Sequence, residues 1–378
     1  MTITLPTSRL MEHGTWLEIR LDHLRYNLKA VEKASGRKNE VLAVVKANAY
    51  GHGLLETAKT LDGQVRYLGV SSLLEALDLK EHGIATPVFL FGRLTPAELP
   101  IALAEEITLS VSSYEEAEEL ASISQSLKRL TKIHIKVDTG MGRLGIPVLQ
   151  ASGTIEKIHE LPSLVPEGIY THFPSAESDQ PFTEEQLQRF AFLLEDLGKK
   201  GIHFVYRHAA NSAGSLKIRT PVLNLIRPGL MLYGLYSDES LRKDVQVKPI
   251  LSLKSRIILL KKLTPGQSVG YGRTYIAKTH TLIATLPVGY SHGYPYSAFQ
   301  KAQVLYKGKR YPLAGRISMD YLSFDLGPDS AKIGDEVTLI GPDGKEEIRT
   351  EEVAGWAGTI PYEIVTRLTS KLPRYYRS

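Results

Sequence analysis

Residues 41–53 read VLAVVKANAYGHG, and this stretch decides how the rest of the chain is read. Val41, Leu42, Ala43, Val44 and Val45 form an unbroken apolar run, too short for a helix and without alternation. Such a run is a strand buried on both faces, the kind a parallel sheet uses. Lys46 stands at its C-terminal end, Tyr50 follows, and Gly51-His52-Gly53 breaks the chain before a helical pattern begins at Leu54. A lysine at the mouth of a buried strand either snorkels its amine to water or puts it to use. Partly desolvated, it has a lowered pKa and can form a Schiff base with an aldehyde cofactor. The Tyr50 hydroxyl, beside flexible glycines, could then contact a bound phosphate.

Outward from this stretch, strand and helix patterns alternate. Residues 15–20 alternate as a strand, and Asp22 reads as the N-cap of a helix to Lys33. After 41–45, strands are expected at 67–71, 87–91, 107–111, 132–137, 166–170, 204–207 and 223–226. Helical patterns at 73–82, 98–105, 114–127, 148–161, 183–199 and 211–216 separate most of them. Eight strands in repeated βα units predict a (β/α)8 TIM barrel. An open doubly wound sheet is the weaker reading, because no Gly-x-Gly-x-x-Gly turn follows the first of these strands, where a dinucleotide-binding sheet carries it. Beyond about Val245 the helical stretches nearly vanish. Short apolar segments at 250–260, 281–286, 303–306, 321–326 and 336–340 alternate with turns, including a hairpin turn at Lys307-Gly308-Lys309. The division expected is a barrel over 1–245 and a mostly-β domain over 246–378, with a short helix near 350–358 and the first strand possibly shared between the two.

Composition narrows the function classes. The 378 residues carry 46 Lys and Arg against 41 Asp and Glu, and this small, dispersed excess does not argue for nucleic acid. Cysteine is absent, which excludes disulfides, zinc-thiolate sites and cysteine nucleophiles. The first residues, MTITLPTSRLMEHG, lack a signal-peptide layout, and no segment reaches the length of a membrane span. A cytoplasmic protein is the expectation.

Barrel enzymes carry their chemistry where strands end and loops begin. Lys46 ends the first strand; Lys136, and Arg143 in Asp138-Thr-Gly-Met-Gly-Arg-Leu-Gly145, follow the fifth; His172 ends the sixth. His208 and Asn211-Ser212 follow the seventh, and Arg227 and Gly229 the eighth. Taken singly these have ordinary explanations. His172 could be a satisfied core histidine, and Asn211-Ser212 a helix cap. The same helix start with a serine hydroxyl would also suit a phosphate, and Gly229 would let backbone N–H groups approach it. Arg227 facing a pyridine nitrogen would disfavour its protonation, weaken the ring as an electron sink and suppress transamination.

Together these strings resemble the alanine racemase family over nearly the whole chain. Val44-Val-Lys-Ala-Asn-Ala-Tyr-Gly-His-Gly53 is similar to its pyridoxal-phosphate lysine motif, and Met141-Gly-Arg-Leu-Gly145 to the loop whose arginine meets the cofactor ring oxygen and the substrate carboxylate. The resemblance implies that Lys136 stands where many members carry a carbamylated lysine that positions Arg143. It implies that His172 stacks on the ring and that Arg227, supported by His208, faces the pyridine nitrogen. Tyr50, Ser212, Gly229, Leu230 and Tyr362, with Asn211 adjacent, match the phosphate contacts. In the second domain, Ser268-Val-Gly-Tyr-Gly272 resembles the loop of the second catalytic base, Tyr271. Pro287-Val-Gly-Tyr290 supplies a gate tyrosine, Tyr290, and Ser318-Met319-Asp320 resembles the substrate-carboxylate loop, with a backbone contact from Met319. Ser318 stands where many members have cysteine, and His292 where aspartate is frequent.

The expectation that follows is a two-base interconversion of L- and D-alanine, supplying D-alanine for peptidoglycan. Lys46 serves the D-side and Tyr271 the L-side, at two sites shared across a head-to-tail homodimer. A phenol near its ordinary pKa of ~10 is a poor base, so cations, plausibly Arg143 and His172, have to assist it. No metal is called for. Alternatives are a racemase for serine or another small amino acid, and a non-catalytic pyridoxal-phosphate-binding protein, which would lack the β-domain. A same-fold decarboxylase would pair the pyridine nitrogen with an acid, and Arg227 argues against it.

Overall fold

The computed structural model describes residues 14–36 and 39–378, so the polar N-terminal lead lies outside the described residues. Eight parallel strands are present: β1 (Glu40–Val44), β2 (Tyr67–Val70), β3 (Val88–Leu90), β4 (Thr108–Val111), β5 (Thr131–Asp138), β6 (Leu164–Tyr170), β7 (Tyr206–His208) and β8 (Leu225–Ile226). They pair in sequence order, and β8 returns to pair with β1 through Leu225 opposite Glu40. The seam between β7 and β8 has no regular ladder. It is joined instead by Asn224 N–H to the Arg207 carbonyl at 3.0 Å and Arg227 N–H to the Ala210 carbonyl at 2.9 Å. The Asn224 carboxamide also accepts from Arg207 N–H at 2.8 Å and so stands in for a strand residue. The result is a nearly closed barrel, as the repeated βα pattern predicts.

The helices outside it begin where the sequence provides caps. Ser72 and Ser113 each accept the N–H three residues on, at Glu75 and Glu116. The helix expected from residue 183 begins earlier, spanning Gln180–Lys199, because Asp179 caps it and Pro181 fits its first turn. The barrel axis is not filled by aliphatic side chains alone. Tyr67, Phe89, His134, Tyr170 and His208 meet there as rings, with Tyr170 stacked on His208 at 4.7 Å and 4°.

The second part is β-rich. One sheet runs in the order Lys309–Pro312, Gln303–Tyr306, Glu336–Asp343, Leu251–Arg256, Thr15–Arg20, Arg374–Arg377. A second holds Leu259–Leu263, Thr281–Leu286 and Leu322–Asp325. The stretch 250–260, read as one strand, is divided between them. Ile257 N–H bonds the Asp335 carbonyl while its neighbour Ile258 bonds Thr285, so the chain changes sheets there. The hairpin turn is a two-residue loop in which Lys307 (φ 51°) and Gly308 (φ 72°) are both left-handed, as a type I′ turn requires.

Among the elements not read from the sequence are the helix Pro361–Arg367 and the strand Arg374–Arg377. They fasten the second part to the barrel mouth. A Cβ on Gly51 would lie 2.0 Å from the Val365 carbonyl oxygen, so only glycine permits the approach. Arg374 also donates to the Gly51 carbonyl at 2.9 Å. Among the described residues no helix is long and apolar enough to cross a membrane.

Candidate active site

The end of β1 leads into an unusual turn, Lys46–Tyr50. Ala47, Asn48, Ala49 and Tyr50 are all left-handed, with φ between 51° and 55°. Each such non-glycine residue costs ~1–2 kcal/mol, and strain of this kind persists only where the surroundings impose it. Here they do. Glu75 accepts from Asn48 N–H at 3.0 Å, and the Asn48 side chain accepts from Leu54 N–H at 2.8 Å. Tyr233 donates to the Val44 carbonyl at 2.8 Å, and its ring stacks on His52. The turn thus fixes where Lys46 leaves the backbone and where Tyr50 returns to the mouth. Burial, with Arg143 as a neighbouring cation, pushes the Lys46 amine below its ordinary pKa.

Tyr50 is directed at Gly229. A Cβ there would stand 2.7 Å from the tyrosine hydroxyl. Gly229 N–H donates to the Ser212 hydroxyl at 3.0 Å, and Met231 N–H approaches the same oxygen at 3.4 Å. With both backbone donors on its oxygen, Ser212 keeps its own proton to donate. The Tyr362 ring, from the helix Pro361–Arg367, lies 5.8 Å from that of Tyr50. Tyr50, Ser212, Gly229 and Tyr362 therefore converge on a cradle that a side chain at position 229 would fill. Leu230 continues it as a buried residue of the turn Leu230–Tyr233. Asn211 acts beside it as the N-cap, accepting from Gly214 N–H at 2.9 Å and donating to the Phe173 carbonyl at 3.4 Å.

Across the mouth lie the cations. Arg227, 4% exposed, donates to the carbonyls of Thr171 and Ala209, to Nδ1 of His208 at 2.9 Å and to Nδ1 of His172 at 3.1 Å. Arginine has donors only, so both Nδ1 atoms accept and are unprotonated. Burial, then Arg227, pushes His172 down to about 3 and His208 well below its ordinary value, so both rings are neutral and His172 is not the cation expected to assist Tyr271. Lys136 is pushed down to about 8 by burial and then by Arg143 and Arg227. Arg143 is solvent-exposed on a loop held by Asp138, whose carboxylate accepts N–H groups from Gly140, Met141 and Gly142. Lys46, Lys136, Arg143, His172 and Arg227 thus share one electrostatic neighbourhood, with the cradle of Tyr50, Ser212, Gly229 and Tyr362 beside it. These groups fit a phosphorylated aldehyde: an amine to bond it, a cradle for its anion and a buried cation for its ring.

Tyr271 lies elsewhere in the chain's own structure. It sits in the turn Tyr271–Arg273 between Gly270 and Gly272 and is 73% exposed. The concavity it lines includes Arg316, whose guanidinium a Cβ on Gly272 would approach at 3.3 Å. Met319, 55% exposed, belongs to a loop bound to the Tyr290 turn through Tyr290 N–H to the Ser318 carbonyl and Ser291 N–H to the Met319 carbonyl. Asp320 accepts from the Ser291 hydroxyl at 2.8 Å, and Ser318 closes its own turn with Tyr321. His292 accepts Gly289 N–H on Nδ1 at 3.2 Å. The structure therefore gathers the predicted barrel residues and Tyr362 at one mouth, and Tyr271, Tyr290, Met319 and Asp320 on the β-rich part. Sequence reading missed Arg316 and the left-handed turn. Arg316 follows Gly315 with no motif around it, and the turn contains no glycine.

Two family sequence models match the chain, the alanine racemase N-terminal domain over residues 19–237 and the C-terminal domain over 250–376. An alanine racemase of Desulforamulus reducens is 41% identical, covering 97% of this chain and 100% of its own length. One of Methanococcus maripaludis is 40% identical with the same coverage. Among solved structures, alanine racemase of Clostridium difficile 630 superposes with a TM-score of 0.92 at 32% identity, covering 97% of this chain and 96% of that one. The Bacillus anthracis alanine racemase with bound L-Ala-P gives 0.90 at 34%, covering 97% and 95%. With both halves matched and relatives aligned from end to end, the chain belongs to the alanine racemase family.

Proposed function

We propose that this chain interconverts L- and D-alanine with pyridoxal phosphate, using Lys46 of one subunit and Tyr271 of a second as the two bases. When bound, the cofactor supplies an electron-withdrawing ring that acidifies the substrate Cα–H. The remaining work falls to the chain's own groups. Lys46, with its amine lowered by burial and by Arg143, gives up its proton more readily than an ordinary lysine and serves to accept or return a proton on one face of Cα. Tyr50, Ser212, Tyr362 and the backbone at Gly229 hold the phosphate. Arg143 binds the substrate carboxylate. Arg227 remains a fixed cation because every atom it touches is a neutral acceptor. Racemisation needs a base on each face, since a single base returns the proton to the face it came from.

The observation that carries the dimeric reading is the exposure of Tyr271, together with Ile276, Tyr290, Met319 and Tyr321, on a chain whose other site residues are mostly withdrawn at the barrel mouth. A cluster of exposed aromatic and apolar residues marks an interaction surface, and a two-fold partner would carry Tyr271 to the other barrel. The test is incubation of the cofactor-loaded protein in heavy water with L-alanine and, separately, L-serine. D-alanine carrying deuterium at Cα is expected. Cofactor absorbance without α-exchange on either amino acid would overturn the reading in favour of a binding protein.

A further inference from the structure

Among the described residues Arg227 is a buried cation with no carboxylate among its hydrogen-bond partners, which is costly unless its charge is balanced farther off. The hydrogen bonds lead to such a balance. Arg227 donates to His208 Nδ1 at 2.9 Å, so neutral His208 carries its proton on Nε2. That nitrogen lies 2.8 Å from Nδ1 of His134, which must therefore accept, leaving the His134 proton on Nε2. His134 Nε2 is buried, has no hydrogen bond within ordinary reach, and stands 3.7 Å from Oε1 of Glu167. Glu167 is 9% exposed and takes the Tyr67 hydroxyl proton on the same oxygen. Its other oxygen lies 3.5 Å from the Lys132 ammonium at the barrel floor. Nearby His134, the Tyr67 hydroxyl bond and Lys132 hold the carboxyl below its ordinary value despite burial.

We propose that Glu167 and His134 are positioning residues for the reaction. Arg227 donates to His208 and His208 to His134, whose remaining N–H lies 3.7 Å from Glu167, and this one-way order down the barrel axis fixes the arginine that would face the cofactor's ring nitrogen. Direction is the point. If His134 carried its proton on Nδ1 instead, His208 would have to accept on Nε2 and carry its own proton on Nδ1. Two N–H groups would then face each other across the 2.9 Å contact to Arg227. An ionised carboxylate accepts only, so Glu167 selects the arrangement that avoids this. The surrounding rings hold the histidines in plane: Tyr170 stacks on His208 at 4.7 Å, and Tyr206 on His134 at 5.8 Å.

The link from this chain to catalysis rests on the reading of Arg227 as the ring's partner, so the test has two arms. Neutron diffraction from deuterated, cofactor-free crystals reads the direction alone. Deuterium on Nε2 and none on Nδ1 of both His134 and His208 is expected, and deuterium on either Nδ1 would overturn the proposal. In the cofactor-loaded enzyme, Glu167→Gln keeps the shape and removes the charge. Its kcat is expected to fall roughly tenfold while KM for alanine changes less than about twofold, with the melting temperature confirming a folded protein. Tyr67→Phe, which removes one donor to Glu167 and keeps the ring, is the milder variant and should lower kcat roughly threefold. Unchanged kcat in both variants would overturn the proposal. Absence of racemisation in the unsubstituted protein would instead defeat the functional reading, leaving the neutron arm to judge the chain of donors.

Discussion

His52 and His172 are each pushed down to about 3, chiefly by burial. An unfolded chain protonates both near 6.5. Between pH 6.5 and about 3 the unfolded state therefore binds more protons than the folded one, and stability falls as the pH falls through that window. Above 6.5 neither state holds these protons, and the contribution is flat. His52 is outside the proposed chemistry and stacks on Tyr233, so His52→Phe preserves the ring. On unfolding at pH 5 the variant is expected to take up about one fewer proton, read from the slope of unfolding free energy against pH. An unchanged slope would mean that His52 titrates normally in the folded protein. The individual residues were legible in unequal degree. Lys46 is read from the strand that delivers it, because a buried run of five apolar residues ending in lysine has few uses. His134 and Glu167 are not: each sits in an ordinary strand pattern, and their pairing depends on neighbouring strands whose register no local sequence reveals.

The strands and helices of the barrel follow from local pattern, with caps at Ser72, Ser113 and Asp179 marking helix starts. The element that matters most for chemistry does not. The turn Lys46–Tyr50 is left-handed at four non-glycine residues, and Ala-Asn-Ala-Tyr carries no local signal for it. It is imposed by Glu75, by the Asn48 side chain and by the helix Pro361–Arg367 packed over Gly51. Ala47→Gly, at an exposed position, removes a Cβ penalty of ~1–2 kcal/mol in the folded state and loosens the unfolded chain by ~0.4–1 kcal/mol. The net expectation is a gain of roughly 0.5–1 kcal/mol in unfolding free energy, measured by denaturant titration. A loss of stability would show that the turn is not strained at this residue.

At the scale of the whole molecule, the proposed chemistry is divided between a barrel mouth, completed by Tyr362, and a β-rich part on which Tyr271 is exposed. The division of secondary structure is plain in the sequence, where helical periodicity stops near Val245. The joining is not. The strand Thr15–Arg20 sits in the second part's sheet, between Leu251–Arg256 and Arg374–Arg377, although a barrel of more than two hundred residues intervenes. Tyr271 stands out only through the string around it, since 19 tyrosines are present and most of them pack. The role proposed for it depends on a second copy of the chain.

Subunit complementation tests that dependence most directly. Lys46→Ala and Tyr271→Ala chains, each inactive alone, are co-expressed in equal amounts and assayed for racemisation. With sites built from Lys46 of one subunit and Tyr271 of the other, half of randomly assembled dimers are mixed and each mixed dimer keeps one intact site, so about a quarter of the unsubstituted activity should return. If each site were completed within a single chain, no mixed dimer would contain one, and the mixture would stay as inactive as its parts.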